Sequence, residues 1–290
     1  MANLLTPARH WWGAIFLFLS VFGWCQNLPE IRWLIDDQPP QFILTGPDQG
    51  KGSVDGILRF FQERLPEFNH TVVVANIQRS LALLQTDGPY VGVGYVKTPE
   101  REKVVLFSQA FSVVLPPGLL VRRADLEKIR PFVLPDGGID LDPLLNAGVL
   151  RVGVAAGRSY GPAVDAVLAR YQNSTVVVTR FTASGIMAGL VQMLDQGRVD
   201  AIFAFRSEVR YVIRDESQLA NLVVLPVMPT GRPLTIHAVV PKTDWGRSFL
   251  AQIDPLIVKA RGDPAFRAFA DRWTDDESRA AVARFLKSLD

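Results

Sequence analysis

Between Ser53 and Pro66 the apolar residues Val54, Ile57, Leu58, Phe61 and Leu65 recur at three- and four-residue intervals, the spacing of one helix face. Ser53 stands where a cap is expected, and Pro66 stops the run. Shorter runs read differently. Residues 31–35 are apolar and residues 71–75 β-branched, the composition of strands. The first ends in Asp36-Asp37-Gln38-Pro39-Pro40, where the prolines halt it. Asn76 then caps a helix with Ile77, Leu81 and Leu84 on one face, closed by Gly88. Residues 90–94 are apolar and glycine-rich, which allows close backbone approach to something in front of them. Residues 92–111 follow as strand end, polar corner, short helix start and apolar extended run, and the rest of the chain is organised around them.

Beyond this stretch, residues 111–121 are extended and broken by Pro116-Pro117-Gly118, the pattern of a strand crossing from one lobe to another. Residues 124–148 are loop-like, with a short helix around 141–145. Residues 150–154 open a second lobe, and a helix starts at Pro162 with Val164, Val167, Leu168 and Tyr171 on one face. A weak internal repeat pairs Thr71-Val72-Val73-Val74 and Leu84-Gln85-Thr86-Asp87-Gly88 with Thr175-Val176-Val177-Val178 and Leu194-Asp195-Gln196-Gly197. Both fit β-α-β units of an α/β protein. Residues 222–227 read as the return crossing, followed by Thr230-Gly231-Arg232-Pro233, and residues 236–240 as a strand rejoining the first lobe. The tail is helical, with Phe249, Ile253 and Leu256, then Phe266, Phe269 and Trp273, then Val282, Phe285 and Leu286 on its faces. A lobe visited twice implies a hinged cleft. The expected division is 26–116 with 234–290 for the first lobe and 117–233 for the second.

At 290 residues, 48% apolar and 21% charged, the chain suits one large domain or two medium ones rather than disorder. A formal net charge of +2, with basic residues scattered, gives no case for nucleic acid. Residues 1–25 stand apart. Arg9 and His10 precede an apolar run from Trp11 to Trp24, with no acid in the segment, which is the pattern of a secretory signal. Gly23 and Cys25 predict cleavage before Gln26. A lipidated Cys25 and an uncleaved anchor are the alternatives, and the bulky Trp24 argues against lipidation. Cys25 is the one cysteine, so its removal excludes disulfides, thiol catalysis and cysteine metal sites from the mature chain. No later apolar run approaches spanning length, so a soluble mature protein is expected.

Candidate chemistry centres on the polar corner. Thr98 sits where an N-cap would, with Pro99 at the first helical position and Arg101 in the first turn. The helix dipole mildly disfavours a cation there, and binding an anion is one reason to keep it. Thr98-Pro99-Glu100-Arg101, followed by Val104-Val105-Leu106-Phe107-Ser108, resembles the T-x-x-R…FS signature of periplasmic solute-binding proteins of the amino-acid-binding type, type II, family 3. The resemblance runs, mostly as pattern, from Ile31 to Trp273. It implies an α/β, two-lobed periplasmic-binding-protein-like II fold with a hinged cleft, a periplasmic location, and an ABC-transporter permease or membrane sensor as partner. By the resemblance Arg101 grips a ligand carboxylate and Thr98 lies with it. Gly157-Arg158-Ser159, at a helix start that aims N–H groups at an anion, matches the family's second-lobe turn. Asp36-Asp37 falls near the ligand, with Asp37 taken as the contact. Trp33 or Phe42 could stack on the ligand, although core packing is the preferred role for both. Asp200, in Gly197-Arg198-Val199-Asp200-Ala201, matches a structural acid.

Two departures change the picture. Val93, Gly94, Tyr95 and Val96 stand where hydroxyl residues usually precede the signature. The acid that pairs with a ligand's α-amino group falls at Phe205, with Arg206 next. An unpaired buried ammonium would cost on the order of several kcal/mol. With Arg101, Arg158 and Arg206 near one cleft, the expected ligand is anionic or carboxylate-bearing and not a standard amino acid, matching the paired N–H fork of arginine. His70 precedes a strand and His237 lies within one, without metal-ligand spacing, and no G-x-S-x-G elbow occurs. No cofactor or metal is expected. The preferred reading is a monomeric binding protein without chemistry. The rivals are an exported enzyme on the same scaffold, as in cyclohexadienyl dehydratases, using Glu208, Asp37 or Tyr160, and a sensory lobe with a vestigial cleft.

Overall fold

The inner strands are covered on both faces, which is why they read as near-continuous apolar runs, whereas the edge strand that carries Val72 and Val74 leaves both exposed. The computed structural model describes residues 28–181, 184–228 and 233–286. The expected signal segment with Cys25, and Thr230-Gly231-Arg232, lie outside the described residues. The chain begins with β1 (Glu30–Ile35), α1 (Ser53–Arg64), β2 (Asn69–Val74), α2 (Ile77–Leu83), β3 (Tyr90–Val96), α3 (Pro99–Glu102), β4 (Val105–Phe107) and β5 (Ser112–Val114). It then crosses to β6 (Gly118–Arg122), α4 (Leu126–Ile129), β7 (Ile139–Asp140), α5 (Leu141–Ala147), β8 (Val152–Ala155), α6 (Pro162–Arg170), β9 (Val177–Arg180) and α7 (Ile186–Asp195). The same lobe continues through β10 (Ala201–Ala204), α8 (Arg206–Val212), α9 (Glu216–Ala220), β11 (Leu222–Leu225) and β12 (Val227–Met228). The chain returns through β13 (Leu234–Pro241) and ends in α10 (Asp244–Arg261), α11 (Pro264–Asp271) and α12 (Asp276–Leu286).

The first sheet has the order β2-β1-β3-β13-β4, with β5 also on β13. Strands β1, β2 and β3 are parallel, and β13 runs antiparallel to β3, β4 and β5. The second sheet is β11-β6-β10-β8-β9, with β8, β9 and β10 parallel and β6 antiparallel to both β10 and β11. Each sheet carries apolar packing on both faces. Trp33, Phe61 and Phe249 mark one core of the first lobe and Leu34 and Leu84 the other. Tyr160 with Phe203, and Leu190 with Ile202, mark the two cores of the second.

Several local expectations are corrected. The cap of α1 is Gly52, because the Asp55 carboxylate takes the Gly52 N–H at 2.9 Å and the Ile43 N–H at 3.0 Å. Helix α2 ends at Leu83, well before Gly88. The stretch read as the return crossing instead forms β11 on the open edge of β6, with Leu222 opposite Arg122. The two strands approach so closely that a Cβ on Gly118 would lie 2.5 Å from Val224 Cγ1. In α10, Ile257 and Ala260 join Phe249 and Ile253 on the buried face, and Leu256 is only partly covered. Among the described residues no helix is long and apolar enough to cross a membrane.

Candidate functional site

A cavity of about 110 Å³ is lined from the first lobe by the ends of β1 and β3 and from the second by the turns that open α6 and α8. Strand ends of this kind are where open α/β sheets hold ligands. Strand β3 reaches the cavity through a bulge. Tyr95 pairs with His237 and Val93 with Ala238, which leaves Gly94 unpaired at φ +94. A left-handed glycine bends the bulged strand, and Gly94 and Tyr95 become cavity wall.

Arg101 follows from the polar corner. Thr98 caps α3 by accepting the Arg101 N–H at 3.2 Å, and Pro99 occupies the first helical position. The Thr98 hydroxyl thus serves the helix, and Arg101, not Thr98, lines the cavity. The Arg101 guanidinium donates from Nη1 to Val96 O at 2.9 Å and from Nη2 to Gly157 O, across the cleft, at 3.2 Å. It lies 5.4 Å from the Tyr95 ring centroid. The residue is 9% exposed, and among the described residues no carboxylate forms an ion pair with it. Burial lowers its pKa, against the fields of Tyr95 and Asp165.

The second-lobe turn is present but already occupied. Ser159 Oγ donates to Asp165 Oδ2 at 2.5 Å, and the Tyr160 N–H donates to Asp165 Oδ1 at 2.8 Å. An acid from the first turn of α6 therefore takes the place expected for a bound anion, and burial raises its pKa. Arg158 is also engaged. Its Nη2 pairs with Glu208 Oε1, with side chains 4% and 0% exposed. Glu208 Oε2 in turn accepts the Phe205 N–H at 3.1 Å. The Gln38 amide, oriented by its neighbours, accepts from Arg158 Nη2 at 2.9 Å and donates to Asp36 Oδ2 at 3.3 Å. Phe205 lays its ring 5.1 Å from the Arg158 guanidinium carbon. Burial opposes the Arg158 charge, but Glu208, Tyr160 and Asp36 outweigh it and hold its pKa above the ordinary value.

Of the paired acids, Asp36 lines the cavity and Asp37 does not; the Asp37 backbone bridges instead to Ser184. The Asp36 carboxyl is pushed up to about 6, chiefly by burial, with Arg158 working against the shift and Asp37 and Glu208 adding to it. Phe42 is buried and borders the cavity. Trp33 does not reach it. It is fully buried behind the sheet, stacked on Phe61 with centroids 6.2 Å apart, and its Nε1 donates to His70 Nδ1 at 3.0 Å. His70 Nε2 lies 3.0 Å from Leu65 O, so that ring is part of the core framework. His237, between Ser108 O and Thr235 Oγ1, is equally structural, and burial lowers its pKa to about 4. Tyr160 accepts the Ala155 N–H at 2.8 Å inside the second lobe, and Asp200 pairs with Arg122 and Arg151. Arg206 borders a neighbouring cavity of about 240 Å³, not this one. Among the described residues no three His, Cys, Asp or Glu side chains gather to hold a metal.

No family model matches the chain, and no curated protein matches it by sequence. Solved structures match by fold. A histidine kinase sensor domain with similarity to periplasmic binding proteins has a TM-score of 0.62 at 16% identity, over 85% of this chain and 96% of its own. An ancestral arginine-binding protein bound to arginine has 0.63 at 16%, over 86% and 100%. An amino acid ABC transporter substrate-binding protein from Streptococcus pneumoniae, bound to L-arginine, has 0.61 at 17%, over 86% and 94%. The fold is the two-lobed, periplasmic-binding-protein-like α/β architecture that the residues from Thr98 to Ser108 implied.

Proposed function

We propose that the chain is an exported binding protein that closes on a small carboxylate-bearing molecule, without chemistry of its own, and presents it to an ABC permease or a membrane sensor. The buried Arg101 guanidinium carries this reading. It lines the cavity, spends donors on two backbone carbonyls, and among the described residues has no ion-pair partner. A buried charge without a partner is costly, and a carboxylate accepting its remaining N–H groups supplies charge and hydrogen bonds together. The volume of about 110 Å³ is below the ~300 Å³ at which ligand pockets ordinarily begin, which favours a small ligand. Similarity to both a transport protein and a sensor domain supports either partner.

The test is thermal unfolding of the chain from Gln26 against small carboxylates. A ligand at a hundred times its Kd stabilises by about 2.7 kcal/mol. The expected result is a raised midpoint with a carboxylate, lost in Arg101→Ala. A shift from neutral or cationic compounds that survives Arg101→Ala would overturn it. Asp36 favours a second reading, since a cavity carboxyl with its pKa near 6 suits acid–base catalysis on this scaffold. NMR of the bound ligand over hours separates the two, because an enzyme consumes it.

A further inference from the structure

We infer that Arg158 is a specificity-determining residue, which fills with the protein's own charge the place a ligand's cationic group would need, so that the cleft selects carboxylates without an amine. The inference rests on the reading of Arg101 as the carboxylate site. Arg158 reaches from the second lobe and lines the cavity. Its guanidinium pairs with Glu208 in its own lobe and meets the Gln38 amide oxygen of the other at 2.9 Å. The same Gln38 amide donates to Asp36, so one cation serves an acid from each lobe, directly and through an amide. Glu208 has its second oxygen taken by the Phe205 N–H. The Phe205 and Tyr160 rings lie 5.1 and 5.8 Å from the guanidinium carbon.

A ligand ammonium entering this region would lose its water and face a fixed cation. Glu208 is already paired with that cation, and Asp36, the other acid at the cavity, already lies in the Arg158 field and accepts the Gln38 amide. Displacing Arg158 would strand a guanidinium already bonded on both sides. A carboxylate without an amine meets neither penalty and still engages Arg101. The side chain at position 158 would thus decide between an acid and its amino counterpart, while Arg101 decides whether any acid binds.

The experiment uses pairs that differ only in the ammonium group and suit a cavity of about 110 Å³, propanoate with L-alanine and 3-methylbutanoate with L-valine. They are titrated into the mature wild type and Arg158→Ala, with ligand affinity read by calorimetry. Because the single variant leaves Glu208 buried without its partner, the double variant Arg158→Ala with Glu208→Gln is measured alongside. In the wild type at least one deaminated member should bind about tenfold or more tighter than its amino partner, a difference lost or reversed in the variants. Millimolar methylguanidinium chloride should raise the thermal midpoint of Arg158→Ala, where the same concentration of sodium chloride does not. Wild-type preference for the amino acid, or selectivity unchanged in both variants, overturns this inference and leaves the Arg101 reading standing. A wild type that binds neither member of either pair counts against both.

Discussion

Replacing Asp36 by asparagine tests the electrostatics of the cleft most directly. In the folded protein its carboxyl is pushed up to about 6 from an ordinary 3.8, mainly by burial, with Arg158 opposing the shift. A folded state that holds a proton more tightly than the unfolded chain gains stability below the unfolded pKa and loses it as pH rises through the folded one. A displacement of about 2 units at ~1.36 kcal/mol per unit makes that loss about 3 kcal/mol, complete by about pH 7.5. Asp36→Asn keeps the size of the side chain and removes its ionisation. It should therefore exceed the wild type in stability by up to about 3 kcal/mol at about pH 7.5, and the gap should close towards about pH 4. Urea unfolding of both proteins across that range reads the gap, and taking the difference cancels groups common to both. A variant that is less stable at neutral pH, or a gap that does not change with pH, would refute the reasoning and show a carboxylate held firmly by Arg158.

Two further substitutions separate core from site. Trp33→Ala should cost about 3–5 kcal/mol in thermal or urea unfolding, because a fully buried ring is deleted between Phe61 and Phe249, yet ligand affinity of the folded fraction should be unchanged. Loss of ligand affinity in the folded fraction would return Trp33 to the site. Glu208→Gln should cost about 3–5 kcal/mol by the same measurement, since Arg158 is left buried and uncompensated. Pairing it with Arg158→Leu should recover much of that loss, and a purely additive double variant would argue against a direct ion pair.

The sequence carried the architecture because the signals for it are local. Buried strands are apolar throughout, Asn76 and Thr98 cap their helices, and Pro116-Pro117 mark a crossing between sheets. The site was harder to read because its residues are chosen by contacts that sequence spacing does not encode. Alternation puts Asp36 on the face of Leu34 and Asp37 on that of Trp33 and Ile35. With both faces of β1 buried, the pattern cannot say which of them meets the cleft. Trp33 failed as a ligand contact for the same reason, since an aromatic ring in a doubly covered strand is core from either side. Glu208 had a readable signal in principle: an acid three residues past a helix cap can reach back to the cap's N–H. Glu208 stands among the candidate acids, but Phe205 at the cap position concealed its capping role, because a phenylalanine offers no side-chain oxygen there.

That acid changes the meaning of the three arginines. By charge count alone Arg101, Arg158 and Arg206 look equivalent, a triple attraction for an anion. The geometry separates them, because Arg158 is neutralised by Glu208 and Arg206 borders another cavity. Even the helix-start turn, with its hydroxyl and N–H donors, is satisfied by Asp165. Attraction for an anion therefore narrows to Arg101, whose backbone carbonyl partners give hydrogen bonds but no counter-charge. One of those carbonyls, Gly157 O, belongs to the opposite lobe, so Arg101 joins the lobes while facing the cavity. On the proposed function, a ligand carboxylate held there would touch the group that spans the cleft and would couple occupation of the site to closure of the lobes.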